Sequence, residues 1–249
     1  MVSGKYSALS GAVAREQNLD NISANLANVN TIGYKRSNVS FESILRGARQ
    51  VKQAQGINYT RIRENYTDFS TGPINKTEAP LDLAINGEGF FKVQGPNGIL
   101  YTRKGDFTLD ADGRLLTTTG MPVLDDSNSP ISIPKTNTNR ISISSLGMIS
   151  VLDSDGTQSE VGRIGIVSVD DPLKLKKDKD TTFSLKEGAQ EVPIELPEVI
   201  QGGIEVSNVN MVSEMADMMN NQRTFETYNK MLKSYAAIAE RQDELGTLA

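Results

Sequence analysis

The sequence predicts an α+β protein, with N- and C-terminal helices pairing as a coiled-coil-like domain and a central antiparallel β domain between them in the chain. Two observations predict the helices: both ends lack proline, and their apolar residues recur at alternating spacings of three and four, as in a helix lying along another helix. A third predicts the β domain, because all nine prolines fall between Pro73 and Pro197. Turn signals there recur about every ten residues.

These patterns divide the chain into four segments. We expect a helical segment over 1–35, an extended connector over 36–75, a β-rich domain over 76–202 and a long helix over 203–249.

The C-terminal helix is predicted over Val206 to Leu245, a stretch without glycine or proline. At about 1.5 Å per residue it would be roughly 60 Å long, with Ser207 or Asn208 as its N-cap. Its predicted seam consists of Met211, Met215, Met218, Gln222, Phe225, Asn229, Leu232, Ala236 and Ala239. A flank beside this seam widens the apolar face: Val212, Met219, Tyr228, Met231, Tyr235 and Ile238. A lone helix with so broad an apolar face needs a partner.

The N-terminal segment offers that partner. Ser3 to Val29 is predicted to be helical, and Gly33 suits a left-handed position that ends the helix. Its seam also repeats in sevens: Ala8, Ala12, Arg15, Leu19, Ile22, Leu26 and Val29. We therefore expect the two helices to pair, in either a parallel or an antiparallel direction.

The middle of the chain reads as short strands separated by turns. Before it, the apolar pattern from Val39 to Leu45 predicts one or two further helical turns, and the alternation after Ile57 predicts an extended ribbon. Asn86-Gly87 predicts a hairpin between the strands around 81–85 and 90–93. Further turns are expected at 96–98 and 112–113, strands at 141–143, 148–152, 163–169 and 182–185, and a hinge at Gly202-Gly203.

Composition excludes several classes of function. The chain has no cysteine and no histidine, which removes thiol nucleophiles, Ser-His-Asp catalysis and the usual zinc sites. Its net charge of −5 disfavours nucleic-acid binding. No apolar run is long enough for a transmembrane helix, and residues 1–16 are too polar for a secretory signal. We expect no catalytic residues, no cofactor, no metal and no membrane insertion.

Two short motifs resemble fragments of calcium loops, Asp110 to Gly113 and Asp153 to Gly156. Neither is followed by the glutamate that such a loop requires, so both favour β-turns. An enzyme would need a carboxylate pair such as Glu88 with Asp106 facing one cleft, and the sequence gives no reason to expect one.

Two residue clusters each allow two interpretations. The methionines of the C-terminal helix either pack within its seam or let the helix fit several different neighbours. Five asparagines recur along the N-terminal helix, and they form either a solvated stripe or hydrogen bonds between packed helices. They are Asn18, Asn21, Asn25, Asn28 and Asn30.

Three stretches together carry a family likeness. Residues 24–36, ANLANVNTIGYKR, resemble the N-terminal signature of bacterial flagellar rod and hook proteins. Residues 203–210 with Glu214 and 222–226 resemble their C-terminal signature, and residues 81–91 with 101–120 resemble their middle segment. Chain length is most similar to that of the proximal-rod type, with the distal-rod type as the near rival.

This resemblance implies a structural subunit in the periplasmic rod of the flagellar basal body. It implies assembly with copies of itself and with other rod proteins into a helical tube that transmits torque. It also implies export through the flagellar type III apparatus without a cleaved signal peptide. The residues expected at the assembly interface are Leu19, Ile22, Asn25, Leu26, Asn28, Val29, Met211, Met215, Met218, Phe225, Tyr228, Leu232 and Tyr235.

The residues themselves support assembly, because two helices that pair along one seam leave their apolar flanks uncovered, as interfaces do. A polar substitution at Phe225 or Leu26 is expected to abolish assembly and leave the β domain folded. The alternative from another class is a self-contained module that binds wall polysaccharide, which would be a well-folded monomer with ordered ends.

Overall fold

The computed structural model of this 249-residue chain describes the backbone of residues 2–46, 57–134, 141–152, 158–179 and 181–247. Side chains are described over 4–42, 63–134, 141–152, 158–179 and 181–242. The chain forms two compact units, one from residues 1–27, 37–68 and 210–249 and the other from residues 28–36 and 69–209.

The first unit contains the two long helices and a β-hairpin. Its elements are α1 (Val2–Ala27), β1 (Ser37–Arg46), β2 (Ile57–Thr67) and α2 (Met211–Thr247). The two strands are antiparallel, with Ser37 opposite Thr67 and Arg46 opposite Ile57. Helix α1 contacts both strands and α2, so it lies between the hairpin and the second helix.

The helical turns predicted over Val39 to Leu45 are wrong, because these residues lie in β1. Val39 and Phe41 are two residues apart, which is the side-chain period of a strand. Both are residue types that strands favour.

Helix α2 starts later than predicted, and neither Ser207 nor Asn208 is its cap. The backbone N–H of Ser213 donates to Asn210 Oδ1 at 3.1 Å, and that of Glu214 donates to the Asn210 carbonyl at 3.0 Å. Asn210 is therefore the N-cap residue.

In its described residues, the second unit consists of short antiparallel strands and one 3₁₀ turn, Pro172–Lys174. The strands are β3 (Ile74–Lys76), β4 (Leu83–Ile85), β5 (Phe90–Gly95), β6 (Gly98–Thr102), β7 (Phe107–Leu109), β8 (Leu115–Thr117), β9 (Ile141–Ile143), β10 (Met148–Leu152), β11 (Gln158–Arg163), β12 (Ile166–Val169), β13 (Leu175–Lys177), β14 (Thr182–Leu185), β15 (Glu191–Pro193), β16 (Val199–Gln201) and β17 (Gly203–Glu205). The largest sheet has the order β13-β14-β6-β5-β12-β15, and a second has the order β11-β10-β9. The pairs β16-β4, β17-β3 and β7-β8 complete the topology of the described strands.

The core of this unit has two clusters. The larger is mainly aliphatic, with Phe91 and Phe107 in edge-to-face contact at 5.2 Å between ring centroids. The smaller is aromatic, and Phe69 lies edge-on to both Phe90 and Phe183. Phe90 and Phe91 are successive residues of β5, so their side chains lie on opposite faces of the strand, and the two clusters cover these two faces.

The hairpin predicted at Asn86-Gly87 is wrong. Strand β4 pairs with β16, whereas β5 pairs with β6 and β12. Gly87 and Gly89 have φ angles of 104° and 126°, conformations that suit glycine. They carry the chain out of one sheet and into another, which a two-residue hairpin turn would not do.

Other turns and strands follow the predictions. The turns at 96–98 and 112–113 connect the paired strands β5-β6 and β7-β8, and β9, β10 and β14 have the predicted bounds. The strand predicted over 163–169 is instead the end of β11 and the whole of β12. Gly202 lies between β16 and β17 and has a φ angle of 71°. The predicted hinge is therefore a turn between two strands and not the start of α2.

The first calcium-like motif forms a turn, as predicted. The Asp110 carboxylate accepts hydrogen bonds from the backbone N–H groups of Asp112 and Arg114, both at 2.8 Å. The second motif, at 153–156, lies outside the described residues.

Neither described helix is long and apolar enough to cross a membrane.

Candidate assembly surface

The two helices pair antiparallel, a direction that the sequence left open. Four close contacts join the helices, and they are spaced seven residues apart on each helix. Later positions on α1 contact earlier positions on α2. They join Gly4 to Tyr235, Gly11 to Tyr228, Asn18 to Asn221 and Asn25 to Glu214. We call these four pairs the heptad ladder.

Glycine permits the close approach in one half of the ladder. A Cβ atom at Gly11 would lie 2.6 Å from the Tyr228 ring, and one at Gly4 would lie 2.7 Å from the Tyr235 hydroxyl oxygen. Separations this short are not available to a methyl group. The two glycines, which lower the intrinsic stability of α1, thus create the space that the tyrosines fill.

Hydrogen bonds form the other half of the ladder. The Asn18 side-chain amide donates to Asn221 Oδ1 at 2.8 Å, and Arg15 donates to the same oxygen at 3.1 Å. The Asn25 amide lies 3.3 Å from a carboxylate oxygen of Glu214, and both side chains are buried. Buried polar pairs of this kind specify the register of packed helices.

Asn25 also fixes the start of β1. Its amide donates to the Ser37 carbonyl at 2.9 Å, and its side-chain oxygen accepts from the Ser37 N–H at 3.0 Å. Asn21 donates to the same carbonyl. The interpretation of the asparagines as hydrogen-bonding groups is therefore confirmed for Asn18 and Asn25, which reach α2.

Half of the predicted α2 seam is displaced. Met218, Phe225 and Leu232 are partly buried. The second row runs through Glu214, Asn221, Tyr228 and Tyr235 instead of Met215, Gln222, Asn229 and Ala236. A one-residue displacement turns the contact face by about 100°. A search for apolar residues missed this row because Glu214 and Asn221 are polar.

The predicted interface residues therefore differ in exposure. Ile22 and Asn25 are buried, and Met211 and Met215 are exposed. The remaining nine are partly buried: Leu19, Leu26, Asn28, Val29, Met218, Phe225, Tyr228, Leu232 and Tyr235.

Among the described side chains of the helix pair, two exposed apolar surfaces are prominent. The first, which we call the apolar stripe, consists of Val212, Met215 and Met219, with exposed fractions of 78%, 52% and 55%. Met211 and Met231 are also about half exposed, at 46% and 49%. The five methionines interpreted as seam packing are Met211, Met215, Met218, Met219 and Met231. That interpretation is wrong for the four that are about half exposed, and only Met218 is partly buried.

The second surface, which we call the open groove, lies between the helices. Tyr6 and Leu9 of α1 face Leu232, Tyr235 and Ala239 of α2 across a volume of about 570 Å³. Lys5 and Gln242 complete its lining. Tyr6 and Leu9 are about half exposed, so intrachain packing leaves this end of the pair partly uncovered.

The second unit contains a buried cluster of charges. The Glu205 carboxylate lies 2.6 Å from Lys35 Nζ and 3.1 Å from a guanidinium nitrogen of Arg103, and all three side chains are at most 2% exposed. The Gly72 N–H donates to the same carboxylate at 2.8 Å. We call Lys35, Arg103 and Glu205 the charge cluster.

Each member of the charge cluster comes from a different one of the three stretches that carry the family likeness. Lys35 also donates to the Ser70 carbonyl at 2.6 Å, and Arg103 donates to the Gly87 carbonyl at 2.6 Å. Burial lowers the pKa of Arg103, and the adjacent Glu205 carboxylate opposes that shift. The cluster joins segments at 35, 103 and 205 within one unit.

Sequence reasoning missed the charge cluster as a site. A lysine, an arginine and a glutamate far apart in sequence carry no spacing signal, and charged residues are ordinarily exposed. The signal that could have identified these three residues is that each lies within one of the three stretches that resemble flagellar rod and hook proteins.

Comparison with known families accounts for both ends and the middle of the chain. Residues 6–35 match the family described as flagella basal body rod protein, and residues 200–244 match the C-terminal region of flagellar basal body rod FlgEFG proteins. Residues 84–151 match the D1 domain of the flagellar hook protein FlgE/F/G. The three matches are in the order that the sequence motifs predict.

Curated relatives match along nearly the whole chain. The flagellar basal-body rod protein FlgF of Caulobacter vibrioides is 34% identical over 244 residues, covering 94% of each chain. The rod protein FlgG of Buchnera aphidicola is 32% identical over 266 residues, covering 98% of this chain and all of the relative. FlgG of Bacillus subtilis is 32% identical over 250 residues, covering 93% of this chain and 94% of the relative. The chain belongs to the family of flagellar basal-body rod proteins.

Proposed function

We propose that this chain, a structural subunit of the flagellar basal-body rod, occupies the proximal rod and assembles with its own copies and with other rod proteins into a helical tube that transmits torque. The observation that carries the proposal is the antiparallel helix pair with its two exposed apolar surfaces. Apolar patches of this kind ordinarily mark interfaces.

The choice of proximal over distal rod rests on the relatives. The FlgF relative is 34% identical and the two FlgG relatives 32%. The margin favours the proximal FlgF type slightly, and a distal-rod role is the second candidate. We assign no catalytic role to either unit.

We also propose export through the flagellar type III apparatus without removal of a leader. Gly4 and Gly11 take part in the heptad ladder, so cleavage of the first residues would remove part of the contact between α1 and α2. The mass of the exported protein tests this point, because it should include residues 4–11.

The proposed function is tested in a strain that lacks its own copy of the gene. The wild-type chain should restore motility and should be recovered in isolated basal bodies. Phe225→Asp should abolish both, since it places a carboxylate in the partly buried row of α2, while the second unit remains folded by near-UV circular dichroism. The control Asn220→Asp introduces the same charge at an exposed position of α2 and should assemble normally.

Motile cells with Phe225→Asp in their basal bodies would refute the role of the helix pair. Failure of the wild-type chain to appear in basal bodies would refute the proposed function itself.

A further inference from the structure

The open groove and the apolar stripe lie at opposite ends of the helix pair. The groove is centred near Tyr235, where the ladder pairs α2 with Gly4. The stripe is centred near Met215, adjacent to Glu214, which the ladder pairs with Asn25. About 20 residues separate the two centres along α2, which corresponds to roughly 30 Å.

We propose that the apolar stripe of one copy docks in the open groove of a second copy of this chain, head to tail. This inference rests on the proposed function and names the contact through which copies associate. The same two surfaces recur on each copy, so each subunit can give its stripe to one neighbour and accept the stripe of another.

The chemistry of the two surfaces is complementary. Val212, Met215 and Met219 lie at positions i, i+3 and i+7, which places them on one face of α2. The groove presents aromatic and aliphatic side chains, and its volume of about 570 Å³ is within the range of sites that enclose a sizeable ligand. Methionine is flexible enough to fill an irregular groove.

Charge favours a second copy as the occupant. The half of the helix pair that carries the stripe, residues 15–27 and 211–226, has five acidic residues against two basic ones. The half that carries the groove, residues 2–14 and 227–247, has four basic residues against three acidic ones. Head-to-tail docking brings a negative half against a slightly positive half, whereas docking of like halves would bring two negative regions together.

The geometry predicts the kind of assembly. The two surfaces are different and lie about 30 Å apart along the helix axis, so the contact is heterologous. A heterologous contact that does not close into a ring generates a filament. Successive contacting copies should be displaced along the helix axis by about this distance.

Cysteine cross-linking tests the contact directly, because the chain contains no cysteine. We would place Leu9→Cys in the groove and Met215→Cys in the stripe, express the double variant in a strain without the native gene, oxidise the cells and run isolated basal bodies on a non-reducing gel. Within one chain the ladder places Leu9 opposite Lys230, about 22 Å from Met215 along α2. A disulfide needs Cα atoms within about 7 Å, so the two cysteines of one chain cannot bond to each other.

We expect a series of covalent dimers, trimers and higher oligomers. The matched control combines Leu9→Cys with Ser213→Cys, which is exposed at nearly the same height on α2 but about 200° around the helix. It should remain monomeric. Co-expression of the two single variants, Leu9→Cys and Met215→Cys, should give dimers and no larger species.

Two results would overturn the inference. Dimers as the largest product of the double variant would show a two-fold symmetric contact instead of a head-to-tail one. Basal bodies that contain the double variant without any cross-link would show that the stripe of one copy does not lie in the groove of another, and the proposed function would stand. Absence of the wild-type chain from basal bodies would instead refute the proposed function.

Discussion

Replacing Glu205 by glutamine should destabilise the second unit strongly. The substitution keeps the size of the side chain and removes its charge. It leaves the buried cations Lys35 and Arg103 without their shared carboxylate, and the new amide N–H₂ group faces one of them. The Gly72 N–H also loses a charged acceptor.

The expected magnitude follows from the burial of all three groups. Removing one member of a buried ion pair costs about 3–5 kcal/mol, because a charge is left without its partner in a region that water does not reach. In a unit of about 150 residues, 1 kcal/mol corresponds to roughly 2–4 °C in Tm. Glu205→Gln should therefore lower the Tm of this unit by roughly 6–20 °C.

The assay is thermal unfolding followed by differential scanning calorimetry, combined with hydrogen exchange at the backbone amides. The chain has two units, so a single transition is not assumed, and exchange assigns the effect. The Gly72 N–H, which donates to the Glu205 side chain, and the Gly33 N–H, which donates to the Glu205 carbonyl at 2.8 Å, should both lose protection.

The control is Asp170→Asn, an equally conservative change in the exposed ion pair with Lys174. It should leave Tm unchanged, because an exposed pair contributes little in water. An unchanged Tm for Glu205→Gln, with Gly72 still protected, would refute the claim that the charge cluster holds this unit together.

Three further outcomes test other features. Gly11→Ala should lower the thermal midpoint of helix unfolding by circular dichroism, despite the better helix propensity of alanine, because its methyl group would overlap the Tyr228 ring; a rise in the midpoint would contradict the ladder geometry. A cysteine pair at Asn18 and Asn221 should form an intramolecular disulfide on oxidation, and a pair at Asn18 and Tyr228, one heptad out of register, should not; the reverse result would place the helices in another register. Burial raises the pKa of Asp106, so the folded state holds this proton more tightly than the unfolded state, and ionisation opposes folding once the pH exceeds the ordinary value of 3.8. Asp106→Asn should therefore be more stable than wild type by urea denaturation at pH 7, with the difference shrinking as the pH falls towards 3.8, and a difference that does not change with pH would exclude this cause.

Sequence patterns correctly predicted the helices and turns that depend on residues close together in the chain. The two long helices follow from their periodicity, and the turns at 96–98 and 112–113 follow from residues that prefer them. The hairpin at Asn86-Gly87 failed because the pairing of β4 with β16 joins residues more than a hundred positions apart, which no local dipeptide reports. The segment from Val39 to Leu45 was assigned to a helix because its apolar spacing is ambiguous over so short a length.

The helix pair shows a different limit. Periodicity predicted that α1 and α2 pair, but a search for apolar residues placed the second row of the seam on Met215 instead of Glu214. Burial of a carboxylate and of amides depends on a partner across the interface, and Asn25 and Asn18 are 189 and 203 positions from theirs. Periodicity does not give the direction of pairing. The antiparallel direction follows from the sequence positions of the four contacting pairs of the heptad ladder.

The charge cluster also bears on when the second unit can fold. Lys35 and Glu205 are separated by 170 positions, and Arg103 lies between them. The carboxylate and the lysine can therefore meet only when the chain between them is present. A fragment that ends before Glu205 would hold Lys35 and Arg103 without their shared carboxylate, so it would gain little by burying them. Closure of the cluster therefore couples the final packing of the second unit to the presence of both Lys35 and Glu205.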